Sequence, residues 1–165
     1  MGQAARKGSV SRVGSRILSF VVIGAFVRVI HGTAELTDGM DITPSMREDD
    51  IGRLKHGLDD LEAKRRDRRR LDVHALDEPV IALRTRAGEL KLVPEPAGTR
   101  GYDDLRHHAS REPLGQGIRP QVASPVDLAR MLGALQQPDQ LPSLLRLRRL
   151  IELERERNRG RSREL

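Results

Sequence analysis

Four apolar residues in a row, Phe20-Val21-Val22-Ile23, run directly into Gly24. Three of them are β-branched. An apolar run of this length, stopped by glycine, fits a strand buried on both faces. The core around it must be aliphatic, because aromatic residues make up only 2% of the chain. Leu, Val, Ile and Ala therefore do the packing. With 165 residues, 37% hydrophobic and 33% charged, the chain suits one thinly packed domain with frayed ends.

Further elements follow from pattern. Residues 1–16 are basic, rich in Gly and Ser and without period, which predicts a disordered arm. After the strand at 20–23, Ala25 to Ile30 fits a short helix closed by His31 and Gly32. Gly39 to Thr43 fits a strand with Met40 and Ile42 facing one way and Asp41 the other. Ser45 and Glu48 have capping-box spacing. Ile51, Leu54, Leu58 and Leu61 then mark the apolar face of a helix expected over 46–65. Residues 80–94 read as a hairpin, with Ile81, Leu83 and Thr85 on one arm and Leu90 and Leu92 on the other. Ala87 and Gly88 supply its turn. A short helix is expected over 102–109 and an edge strand over 118–123, the edge marked by Pro120. Ser124-Pro125 opens a helix with a cap and a proline at its first position. A last helix follows Pro138 and Pro142 and gives way to a charged tail over 155–165. The domain proper is expected to span 17–154.

The net charge of +6 and a pI of about 10.6 favour polyanionic partners. The run Lys64 to Arg70 reads first as a solvated segment and, more sharply, as a phosphate binder. There is no cysteine, which excludes disulfides, thiolate nucleophiles and Cys-ligated zinc. The five histidines show no ligand spacing. The apolar stretch 17–30 is interrupted by Arg28 and is too short for a bilayer, which needs about 20 residues. It follows a basic start, as in a signal peptide, but no convincing small-x-small step comes after it. The expectation is a cytoplasmic protein with no membrane partner.

The stretch FVVIGAFVRVIHGTAELTDGMDI, residues 20–42, resembles the opening of the nucleotidyltransferase superfamily, and in particular the small bacterial minimal and type IV toxin-like members. GELKLVPEPAGTRGYDDL, residues 88–105, and VASPVDLARM, residues 122–131, resemble later family segments. The resemblance covers roughly residues 19–150. It implies a small α/β (α+β) fold, a mixed sheet flanked by helices. It also implies transfer of a nucleotidyl group from a nucleoside triphosphate, with magnesium if the protein is active and otherwise no cofactor. RNA or an antitoxin protein is the implied further partner. The chemistry needs carboxylates because two divalent ions neutralise the phosphates and align the reacting groups, and magnesium prefers hard oxygen ligands. Acids at i and i+2 on a strand reach the same face.

Within the resemblance, Asp41 takes the second acid of Asp-x-Asp and is the metal-ligand candidate. The first acid falls on Gly39, so Asp38 enters the catalytic set only through an irregular backbone. The third acidic position falls on Lys91, where a cation would repel a metal ion or hold a phosphate in its place. Gly24, Gly32 and Thr33 are the candidates for the phosphate turn. The incomplete acidic set predicts a catalytically impaired transferase. The alternatives are an active metal-dependent enzyme of toxin–antitoxin type and a non-enzymatic basic nucleic-acid-binding protein.

Overall fold

The computed structural model describes residues 18–31, 39–113, 117 and 119–163. It shows a mixed α/β architecture, with helices packed on a seven-stranded sheet of order β3-β4-β5-β2-β1-β7-β6. The strands are β1 (Phe20–Ile23), β2 (Gly39–Pro44), β3 (Lys64–Arg65), β4 (Ile81–Thr85), β5 (Gly88–Leu92), β6 (Ser110–Arg111) and β7 (Gln121–Val122). The helices are α1 (Gly24–Ile30), α2 (Glu48–Asp60), α3 (Tyr102–Leu105), α4 (Pro125–Leu135) and α5 (Leu141–Arg163), with a 3-10 turn at Pro138–Gln140 before α5. The arm expected over 1–16 lies outside the described residues.

The β-branched run is the buried strand its composition implies. Val21 and Val22 are fully buried, and β1 pairs antiparallel with β2 and parallel with β7. The β4–β5 hairpin forms, with its turn one residue earlier than the expected Ala87-Gly88 pair. Thr85 pairs with Gly88, leaving Arg86 and Ala87 as its loop. Gly88 opens β5 with φ 131, a conformation that favours glycine. One sheet face is apolar across its central strands. Val22, Ile42, Ile81, Leu83, Leu92 and Val122 lie on it and join one core with Leu54 and Leu58 of α2.

The second helix departs from expectation at both ends. It begins at Glu48 with Arg47 at the cap position and no side-chain cap bond. Ser45 instead donates its hydroxyl to Asp50 Oδ2, 2.7 Å away. The helix ends at Asp60, not near 65. Ala63 N–H bonds to Leu58 O and Glu62 N–H to Asp59 O, with Glu62 at φ 53. That is a Schellman stop, with glutamate where glycine is usual. Lys64 and Arg65 are thereby freed to form β3 against β4.

The last third is held by α4 and α5. Ser124 caps α4 by accepting from Asp127 N–H. Leu144 and Leu147 of α5 are buried in the common core. The expected helix over 102–109 is a single turn, and the strand expected over 118–123 is reduced to Gln121–Val122. Helix α5 continues through the charged segment to Arg163, exposed along 155–162. Among the described residues, no helix is long and apolar enough to cross a membrane.

Candidate functional site

Strand register decides which side chains share a face. Gly39, Asp41 and Thr43 alternate with the core-facing Met40 and Ile42 on β2. Asp41 stands opposite Ile23 on β1 and opposite Lys91 on β5, and Gly39 stands opposite Glu89. The pairing of β2 with β5 is parallel, so Asp41 and Lys91 project from the same face of neighbouring strands.

The helix α1 roofs part of this face. Its first residue, Gly24, has φ 79, and a Cβ there would lie 2.6 Å from Asp41 Oδ2. The carboxylate therefore sits where only a glycine leaves room. Arg28, in the last turn of α1, is buried. Burial pushes the Asp41 carboxyl above the ordinary aspartate range, while the charges of Lys91 and Arg28 pull it back down. His31 ties the far end of α1 to the sheet, with Nε2 2.9 Å from Ala123 O.

Gly39 is closed to a side chain by its neighbour. A Cβ there would stand 2.7 Å from Glu89 O and 3.1 Å from Glu89 Cβ. Asp41, Gly39 and Lys91 thus offer one carboxylate, a position without room and an ammonium. A magnesium ion takes several hard oxygen ligands, and this trio does not fit one. Among the described residues, no group of three or more His, Asp or Glu side chains is placed to hold a metal ion. Asp38, Gly32 and Thr33 lie outside the described residues. Of the residues singled out by sequence, the structure brings together Gly24, Asp41 and Lys91.

Three basic residues of the run 64–70, Arg65, Arg66 and Arg69, are spent on structure. Arg65 donates to Asp67 and Glu78, and Arg69 donates to the same two acids. Arg66 reaches Glu89 at 3.2 Å. These bonds staple the long connection between β3 and β4. The paired arginines hold the Asp67 carboxyl well below the usual range.

A second polar cluster joins α3 to α4. Asp104 Oδ2 accepts from Arg100 N–H at 2.9 Å and from Arg130 at 3.1 Å, and Arg130 also lies 3.2 Å from Asp127 Oδ1. Asp127 Oδ2 is buried without a hydrogen bond, 3.6 Å from His108 Nδ1.

Sequence reasoning missed Arg28 as part of the charged surroundings of Asp41, and the exposed cations Lys64 and Arg84 farther along the same sheet face. The signal for Arg84 was present: the hairpin pairs it with Glu89, one step along the same face from Lys91. Arg28 gave none, since a cation inside an apolar run reads as an interruption.

The chain matches no family model and no curated protein sequence.

Proposed function

We propose that this chain is a nucleotidyltransferase-like protein that binds a nucleoside triphosphate and is impaired in metal-dependent transfer. The observation that carries the reading is the juxtaposition of Asp41 with Lys91 on adjacent parallel strands, beside a Gly39 that has no room for a side chain. In the nucleotidyltransferase scheme these strand positions supply oxygens to two metal ions. Here a single carboxylate remains, and an ammonium stands where another oxygen ligand belongs.

Lys91 can neutralise a phosphate without a metal, as a mobile point charge on an exposed strand face. Gly24, at the start of α1, leaves room for the Asp41 carboxylate beside it. Asp41 helps to set the local charge but cannot by itself assemble a two-ion centre. The architecture supports the reading at the level of fold, which by itself does not settle chemistry. A cytoplasmic location goes with it.

The test is a transfer assay with the purified chain, labelled nucleoside triphosphates, magnesium and a pool of tRNA. The expected result is no transfer above background. Robust transfer that disappears in Asp41→Ala would instead establish an active toxin-type enzyme, with Asp38 drawn into the ligand set.

A further inference from the structure

The face of the sheet that carries Asp41 changes character along the strand order. Near β1 it is buried: Val21, Ile23 and Thr43 are covered, and α1 packs on β1 and β2. Beyond β2 it opens. The outward positions there are Glu89 and Lys91 on β5, Ala82 and Arg84 on β4, and Lys64 on β3. Lys64, Arg84 and Lys91 are all exposed, and none of the three is ion-paired with a described residue. The acid among them, Glu89, is engaged by Arg66.

We infer that this open face, β5-β4-β3, is a docking surface for the phosphodiester backbone of double-helical nucleic acid. Lys64 stands directly opposite Arg84, and Lys91 lies diagonal to Arg84 across the hairpin. Neighbouring strands are about 4.8 Å apart and diagonal partners about 7–8 Å, so the three cations form one compact patch. The patch lies on the open side of the sheet, past the part that α1 covers. A nucleic-acid backbone suits such a surface because each neutralised phosphate releases counterions. The residues of this face include no aromatic side chain. Single strands are usually held by stacking on aromatics, so a duplex is the better fit. Recognition here is by backbone charge and not by sequence.

The inference does not depend on the triphosphate reading, and its test avoids Lys91 for that reason. The full chain is titrated into a fluorescein-labelled DNA duplex of about 20 base pairs at several salt concentrations, followed by anisotropy. Lys64→Gln plus Arg84→Gln should weaken binding by about tenfold or more at low salt. It should also flatten the salt dependence by about 0.9 in log–log slope for each lost cation. A control variant, Arg155→Gln, Arg157→Gln and Arg159→Gln in the exposed end of α5, should lose less and keep more of the slope. The inference is overturned if the wild-type chain does not bind the duplex at low salt. It is equally overturned if the sheet-face variant, with an unchanged melting temperature, keeps affinity and slope, or if the loss falls on the α5 variant alone. Displacement of the duplex by poly-glutamate at equal charge would also overturn it, by identifying an acidic protein as the partner.

Discussion

Gly24 stands over the carboxylate of Asp41, so closely that a methyl group on Gly24 would lie 2.6 Å from Oδ2. The glycine also has φ 79, where an L side chain is strained. Two costs therefore fall on Gly24→Ala, one from the backbone and one from the contact. The variant should lose about 1–3 kcal/mol of stability. Adding Asp41→Ala should recover the contact part and leave the backbone part. Denaturant melts of the two single variants and the double variant measure the coupling. Strictly additive losses would show that the two residues do not touch.

The raised titration of Asp41 makes a signed prediction. Its folded form holds the proton more tightly than its unfolded form, because burial disfavours the charge. Ionised Asp41 therefore costs stability above its folded pKa, and the cost vanishes below the ordinary aspartate value. As pH rises between these two points, Asp41→Asn should gain stability relative to the wild-type chain. At more acid pH the difference between the two should be constant. Thermal melts of both proteins across an acid-to-neutral series check this. A relative loss on raising the pH would mean that Lys91 and Arg28 outweigh burial.

Gly39→Asp is the obvious repair of the missing ligand, and the structure argues against it alone. The new Cβ meets Glu89 O at 2.7 Å, a backbone atom that cannot swing away. The expected outcome is a loss of about 1–3 kcal/mol, as for other overpacked sites, and no gain in metal affinity while Lys91 remains. Gly39→Asp with Lys91→Asp should raise metal affinity. If the folded double variant binds metal no better than wild type, the ligand positions assigned to β2 and β5 are wrong.

Ser124→Ala removes the hydroxyl that accepts from Asp127 N–H at 3.1 Å. Loss of such a cap costs about 1 kcal/mol, read as a lowered denaturation midpoint with unchanged slope. Ser45→Ala tests a different bond. Ser45 does not cap α2 but serves the buried Asp50, whose other oxygen accepts from Arg53 at 2.8 Å. The expected effect is again destabilising, with the length of α2 unchanged.

These two serines show how far the sequence could be read. Ser124 is followed by proline at the first helical position, and local chemistry there agrees with the fold. Ser45 has the same local signature three residues before Glu48, but Asp50 offers a buried carboxylate that competes for the hydroxyl. The strand 20–23, the strand bearing Asp41 and the 81–92 hairpin were legible because apolar runs and alternation report burial directly. The end of α2 was not, because its left-handed residue is Glu62 and carries no glycine signal. That error hid β3, and with it the placement of Lys64 beside Arg84. The pairing of Asp41 with Lys91 follows from the register of a parallel ladder formed by strands nearly 50 residues apart, which no local pattern encodes. The closure of Gly39 by a carbonyl is likewise a tertiary fact.

Counting ions bound at the Asp41 face is the most direct test of lost metal chemistry. Manganese shares the oxygen preference of magnesium, and its free concentration is read by electron paramagnetic resonance during titration of the full chain. The expected result is no stoichiometric site at millimolar ion and no difference between the wild-type chain and Asp41→Asn. One or two stoichiometric ions on the wild-type chain, lost in Asp41→Asn, would contradict it.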